Sequence, residues 1–377
     1  MESKHVLPKG FKLILVGFLL FAILGILPAR TYSATGDGSP GDSNIHYFGR
    51  WDKSVSTQYT SYWPGAYFKV KFTGTSVKIN LGGSVNMYAS IDGGSYIAHT
   101  NVSGIVNLTP VPLSAGTHSL VIAAKDRSDF IIFNGLLLDG GATTQPPSLQ
   151  GNFIEFIGDS VTTGYLSTNA ALSAYAWITA EQLNAEHSQI AYPGICLTDN
   201  VACYSPNSIG MSRQYFKLQT VAFPSSPDWD FTLKQPTAVV INLGSNDDTF
   251  NVPDFTFQDT YTTFLQNIRA KYPSAKIFVL RTFRGFKSVP TLAAVNTRIS
   301  AGDVNLHYID TTGWLGSADY IDGRHPTDRG HQKAANLLTT ILQPYLVVKH
   351  PGFEIDQSHE LNETGKMDHE YQDRGGR

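Results

Sequence analysis

The chain has 377 residues, and at about 150 residues per domain that length points to two domains, each able to bury a sizeable core. Hydrophobic residues at 42% against 16% charged, with 34 Gly, 18 Tyr and 21 Phe, describe a turn-rich, β-containing globular protein and exclude wholesale disorder. The formal charge of −3 gives no field to gather polyanions along a whole face, which excludes nucleic acid as a partner, and two cysteines are too few for a disulfide-dense miniprotein or a zinc cage.

Residues 1–34 read as a secretory signal peptide: Lys4, Lys9 and Lys12 precede an uninterrupted apolar run over 13–27, closed by Pro28, with the small residues Ser33 and Ala34 beyond. The run falls short of the roughly 20 apolar residues of a comfortable membrane span, and an uncleaved signal anchor at the cell surface is the alternative. No later segment approaches that length, so the expectation is a secreted protein with no stable membrane association once the signal is removed. Export gives meaning to three glycosylation sequons, at Asn101, Asn107 and Asn362. An oxidising route also favours a Cys196–Cys203 bridge over two buried free thiols.

Residues 35–44, made largely of Gly, Ser, Asp and Pro, read as a polar linker. From 45 to 140, β-rich runs at 66–72, 77–81, 87–91 and 118–123 alternate with Gly-bearing turns, and Asp92-Gly93-Gly94 and Ala115-Gly116-Thr117 are hairpin signals. No segment there carries a 3.6-residue apolar stripe, so this half is expected to be an antiparallel β-sandwich. A second linker, 141–152, leads into 153–346, where strands at 153–157, 238–243, 276–280 and 306–309 alternate with helices at 170–186, 255–271, 292–300 and 328–342. Strands that are apolar at consecutive positions are covered on both faces, as in a parallel α/β sheet, and such sheets bind ligands at the carboxyl ends of their strands. The charged tail, 347–377, is expected to be disordered.

Gly158-Asp159-Ser160 directly follows the first of those strands. A serine at that edge, at a turn into the next helix, faces substrate and is a candidate nucleophile; capping the helix is the plainer job for Asp159 or Ser160. A serine hydroxyl is inert at neutral pH without a base, and Asp322-Gly323-Arg324-His325 supplies one on the same sheet edge. Asp322 lies three residues before His325, close enough to hold the imidazole tautomer. His187, His307 and His331 lack such a context and read as core or surface residues, while Arg324 faces either substrate or a carboxylate in the wall. Two further loops at strand ends can supply donors to an oxyanion: Gly194, whose N–H approaches closely for want of a side chain, and Asn246 in Gly244-Ser245-Asn246-Asp247. Singly each reads as an ordinary turn residue; the weight comes from their conjunction at the ends of different strands.

These four blocks resemble those of the SGNH (GDSL-type) hydrolase superfamily. Within it the chain is most similar to carbohydrate esterase family 2, through Phe48-Gly49-Arg50-Trp51, Phe72-Thr73-Gly74-Thr75 and Ser90-Ile91-Asp92-Gly93-Gly94 in the first half, and the resemblance covers about residues 45–346. It implies an N-terminal jelly roll joined to an SGNH α/β/α domain with a parallel sheet. It also implies Ser160 as nucleophile, His325 as general base, Asp322 as orienting acid, and the Ser160 N–H, Gly194 and Asn246 as oxyanion hole; some members dispense with the acid and use a dyad. The implied activity is removal of O-acetyl groups from hemicellulose such as xylan or glucomannan. Because His, Cys and carboxylates never cluster at ligand spacing, neither metal nor other cofactor is expected, and the protein is expected to be a monomer. Tyr165 and Trp314 are candidate sugar platforms, core packing being the plainer reading. The competing readings are a lipid or small-ester acylhydrolase on the same scaffold and a non-catalytic carbohydrate-binding surface protein.

Overall fold

The computed structural model describes residues 36–203 and 208–346; the expected signal peptide, the tail and the Asn362 sequon lie outside the described residues. Nine strands build the first half: β1 (His46–Phe48), β2 (Trp51–Val55), β3 (Gln58–Ser61), β4 (Tyr67–Gly74), β5 (Val77–Ile91), β6 (Ile97–Asn107), β7 (Gly116–Ala124), β8 (Ile132–Leu138) and β9 (Thr144–Gln145). They pair antiparallel in the order β1-β4-β7-β5-β8-β3-β2, with β6 on β5 and β9 on β4. Period-two burial drives this pairing: Phe68, Val70 and Phe72 on β4 meet Ile79, Leu120, Ile122 and Phe133 in one core.

The runs expected at 77–81 and 87–91 are a single strand, β5. Its start pairs with β8 and its end with β7, so it passes from one layer of the sandwich to the other. The register shifts between Leu81 and Val85, where Gly82 and Gly83 break the apolar alternation. A Cβ at Gly82 would sit 2.5 Å from the Ile132 side chain, so the crossing needs glycine there. Asn101 and Asn107 are exposed on β6, which pairs only with β5. Residues 36–44 do not hang free: the buried Asp42 carboxylate accepts from the Gly36, Gly38 and Asn44 N–H groups and from the Thr144 hydroxyl.

The second half is a five-stranded parallel sheet, β10 (Asn152–Gly158), β11 (Ala185–Ala191), β12 (Ala238–Asn242), β13 (Lys276–Leu280) and β14 (Leu306–Ile309), in the order β11-β10-β12-β13-β14. Six helices accompany it: α1 (Tyr175–Gln182), α2 (Met211–Gln214), α3 (Ser245–Thr249), α4 (Asp254–Lys271), α5 (Ser288–Ser300) and α6 (Asp328–Leu342). Val239 and Ile241 pack with α4 and α5 on one face, and Ala238 and Val240 with α1 and α6 on the other, which is why β12 is apolar from Ala238 to Ile241. Helix α6 starts where Thr327 accepts the Gly330 N–H and lays Ala334, Ala335, Leu338 and Leu342 on the sheet.

The helix expected over 170–186 is shorter than its pattern. Asn184 takes a positive φ of 48° and ends α1, and residues 185–191 become strand β11. That strand reads Ala-Glu-His-Ser-Gln-Ile-Ala, yet all seven residues are buried. Its polar groups find partners that sequence spacing cannot show. Glu186 accepts from the Tyr67 hydroxyl at 2.8 Å and pairs with Lys69, both on β4 of the first half, and Ser188 donates to Glu155. The two halves are joined by more than this strand: Tyr67, stacked on Phe48 of its own half at 4.6 Å, meets Trp177 of α1 at 5.3 Å. Arg50, buried and ringed by Trp63, Tyr215, Trp229 and Phe231, donates to the Tyr215 and Lys217 carbonyls across the boundary.

Candidate active site

Numbered along the chain, the parallel strands stand in the order 2-1-3-4-5, so the winding reverses between β10 and β12, and the crevice at their carboxyl ends is where such sheets receive ligands. Ser160 follows β10, Gly194 follows β11, Asn246 opens α3 after β12, and His325 comes from the turn between β14 and α6. As expected, a turn follows the serine: residues 159–165 form it, with the Tyr165 N–H donating to the Ser160 carbonyl at 3.0 Å, and α1 begins at Tyr175. The turn folds back on the strand end. A Cβ on Gly158 would lie 1.9 Å from the Thr162 hydroxyl oxygen, so the strand can end there only as glycine.

Ser160 Oγ stands 2.9 Å from His325 Nε2, and His325 Nδ1 stands 2.7 Å from Asp322 Oδ2. An imidazole that donates its Nδ1–H to Asp322 leaves Nε2 free to accept the serine hydroxyl. The other Asp322 oxygen accepts the backbone N–H groups of Arg324 and His325, so one carboxylate both shapes the turn and orients the ring. Partial burial works against its ionisation, but the His325 N–H, the His325 ring and the Arg324 N–H outweigh it and hold the carboxyl well below the usual range.

Asn246 donates from Nδ2 to the Ile195 carbonyl at 2.8 Å, which leaves its second amide hydrogen for the cleft. Next to it, the buried Asp247 accepts the Leu197 and Thr198 N–H groups at 2.8 and 3.0 Å. The loop after β12 thereby pins the loop after β11, in which Gly194 adopts a φ of 84° and Cys196 is disulfide-bonded to Cys203. Ser160, Gly194, Asn246, His325 and Tyr165 all line one open cleft of about 240 Å³, with Pro193, Arg127 and Arg324. The Tyr165 ring stands edge-on to His325 at 5.1 Å. Trp314 is elsewhere: it is buried against Phe283 in the core beneath the sheet edge, held by its N–H bond to the Thr311 carbonyl. His187 and His331 are buried too, the latter accepting the Tyr175 N–H.

Two residues of the site escaped the sequence reading. Arg127 comes from the β7–β8 connection of the first half, an ordinary polar loop in the sequence, and only the packing of the halves brings it over Tyr165, 5.4 Å from the ring centre. Asp159, read only as a cap, is 1% exposed beneath Ser160. Burial pushes its carboxyl up to about 6, against the Val161 N–H and the nearby His325, which favour the charge. An acid raised in the folded state keeps its proton there longer than the unfolded chain does, so stability declines as pH rises from about 4 to about 6 and stays low above. Asp159→Asn keeps an acceptor for Val161 and has no charge to bury. It should match the wild type in urea titrations at pH 4 and exceed it by about 2–3 kcal/mol at pH 7.5.

Residues 156–333 match the GDSL-like lipase/acylhydrolase family, and residues 47–147 match the carbohydrate esterase 2 N-terminal domain. The chain thus joins a carbohydrate esterase 2 N-terminal domain to a GDSL-like lipase/acylhydrolase domain. Like the family 2 structures, it joins an antiparallel, nearly closed sheet to a parallel sheet with helices. The cellulase/esterase CelE of Acetivibrio thermocellus is 29% identical to it over 332 residues, 80% of this chain and 40% of CelE, so the chain spans less than half of that relative. An acetylxylan esterase / glucomannan deacetylase of Cellvibrio japonicus is 24% identical over 316 residues, 76% of this chain and 85% of that protein. The solved structure of a family two carbohydrate esterase from Clostridium thermocellum in complex with cellohexaose matches at a TM-score of 0.69 and 27% identity, covering 80% of this chain and all of that one.

Proposed function

We propose that this chain is an exported serine esterase that removes O-acetyl groups from carbohydrate, with hemicellulose such as xylan or glucomannan as substrate. The observation that carries the reading is the hydrogen-bonded sequence Ser160, His325, Asp322 opening on a cleft that also holds Gly194 and Asn246. Ser160 Oγ attacks the acetyl carbonyl while His325 Nε2 takes its proton. The N–H groups of Ser160 and Gly194 and the free amide hydrogen of Asn246 stabilise the oxyanion. The imidazolium then returns the proton to the leaving sugar hydroxyl, and a water deprotonated by His325 attacks the acetyl-serine, releasing acetate. Asp322 keeps the ring in the one tautomer that serves both steps.

The named activity of the Cellvibrio relative and the cellohexaose complex of the Clostridium enzyme support a carbohydrate leaving group. The cleft itself supports a short acyl group, because among the described residues that line it Pro193 is the only aliphatic side chain. The apolar run over 13–27 supports export, which takes the enzyme to plant polymers outside the cell. The test is acetate release by the purified protein from acetylated xylan, acetylated glucomannan and a long-chain lipid ester. Acetate from either polysaccharide is the expected result. Activity confined to the lipid ester, or none from folded protein, overturns the reading.

A further inference from the structure

Two arginines in the cleft have no part in the mechanism. Among the described residues, Arg127 and Arg324 are the only Arg, Lys, Asp or Glu side chains that line it, so no carboxylate faces them there. Both Asp322 oxygens are committed to His325 and to backbone N–H groups, and Asp159 lies buried beneath Ser160. Elsewhere Arg269 pairs with Asp303, Arg281 with Asp310 and Arg329 with Asp319, while Arg50 and Arg284 lie over aromatic rings without an ion pair. Neither Arg127 nor Arg324 forms an ion pair among the described residues. Each is instead half-buried over an aromatic ring, Arg127 above Tyr165 and Arg324 above Phe286, both at 5.4 Å. A guanidinium held by its flat face keeps its N–H edge free, and that fork matches a carboxylate in two parallel hydrogen bonds. The chain carries −3 overall, so a doubly cationic cleft is a local arrangement and not a reflection of bulk charge.

We infer that Arg127 and Arg324 select a substrate whose acetylated sugar lies next to a hexuronate, so that the uronate carboxylate is bound at the cleft while Ser160 takes the acetyl group. The inference rests on the carbohydrate-esterase reading and narrows it to acidic polysaccharide. The carboxylate can come from a glucuronate branch on xylan or from galacturonate in the backbone itself. A phospholipid headgroup would also bind arginine, but Pro193 and the Tyr165 ring are a small apolar surface for its acyl chains to lie against.

The experiment compares acetate release from acetylated glucuronoxylan and acetylated homogalacturonan, each before and after chemical reduction of its carboxylates to alcohols. The acetylated polymers are matched in acetyl content. For at least one polymer, kcat/KM is expected to fall about tenfold or more on reduction, chiefly through KM, and the gap is expected to narrow as salt is raised. The polymer that shows the larger fall identifies the source of the uronate. In Arg127→Gln with Arg324→Gln, the ratio between native and reduced polymer is expected to approach one. Equal rates on native and reduced polymers in the wild type overturn the inference and leave the esterase reading intact. No acetate from any polysaccharide, reduced or not, overturns the esterase reading first. Cleavage of a short-chain anionic phospholipid with none of the uronate polymers cut also overturns it. The wild-type comparison stands alone should the double variant not fold.

Discussion

Ser160→Ala is expected to lower kcat on an acetylated polysaccharide by about 10⁴-fold or more, with the thermal midpoint shifted by no more than about 2 °C. The hydroxyl makes its one side-chain bond to His325 Nε2, and Ser160 sits in a turn held by backbone bonds and by the Thr163 hydroxyl, not by its own side chain. Removing it strands no backbone group, which separates loss of chemistry from loss of fold. His325→Ala should cost about as much, because serine without its base is a poor nucleophile. The double variant should be no worse than either single one, since the two act as a unit. Acetate release under saturating substrate, read beside circular dichroism melts, decides the matter. A Ser160→Ala protein that keeps more than a few per cent of the wild-type rate would remove Ser160 from the nucleophile's place.

The parts of the molecule that were legible in the sequence share one property: their signals are local. Strands β10, β12, β13 and β14 are short runs dominated by apolar residues, α6 has its cap and stripe within sixteen residues, and Asp322 and His325 are held by a turn only four residues long. Elements that depend on the other half of the chain were not legible. The polar pattern of β11 makes sense only against Tyr67 and Lys69, and β5 looks like two strands until its partners on both layers are known. Trp314 and Arg127 show the same limit from opposite sides. One is an aromatic near the His325 block that the core absorbs, and the other is an unremarked loop cation that packing delivers to the cleft. Sequence spacing can place a residue at a sheet edge, but which way it turns from there is decided by what lies opposite.

Asp322→Asn is the substitution on which dyad and triad diverge, and the geometry favours a large effect, about 10²–10⁴-fold in kcat. The carboxylate accepts the ring Nδ1–H with one oxygen and two backbone N–H groups with the other. An asparagine can serve only one side with its oxygen. If the oxygen keeps the Arg324 and His325 N–H groups, the amide nitrogen faces Nδ1 and donates to it, which puts the ring proton on Nε2, where it blocks acceptance from Ser160. If the oxygen keeps the ring, two backbone donors lose their acceptor and the turn that delivers His325 loosens. Either outcome should act on kcat more than on KM, because Asp322 does not line the cleft. A dyad predicts otherwise: Asp322 is partly exposed, so water can replace its bond to the ring, and the loss would stay below about tenfold while His325→Ala remained near total. The native carboxyl is held well below the usual range and is ionised at every pH suited to the assay, so the acid limb of the wild-type rate profile does not report Asp322. Measuring kcat and KM for Asp322→Asn and Asp322→Ala side by side separates the two cases. Alanine leaves room for water and donates nothing to Nδ1, so under a triad asparagine should be at least as damaging as alanine, and a mild asparagine with a mild alanine would establish the dyad.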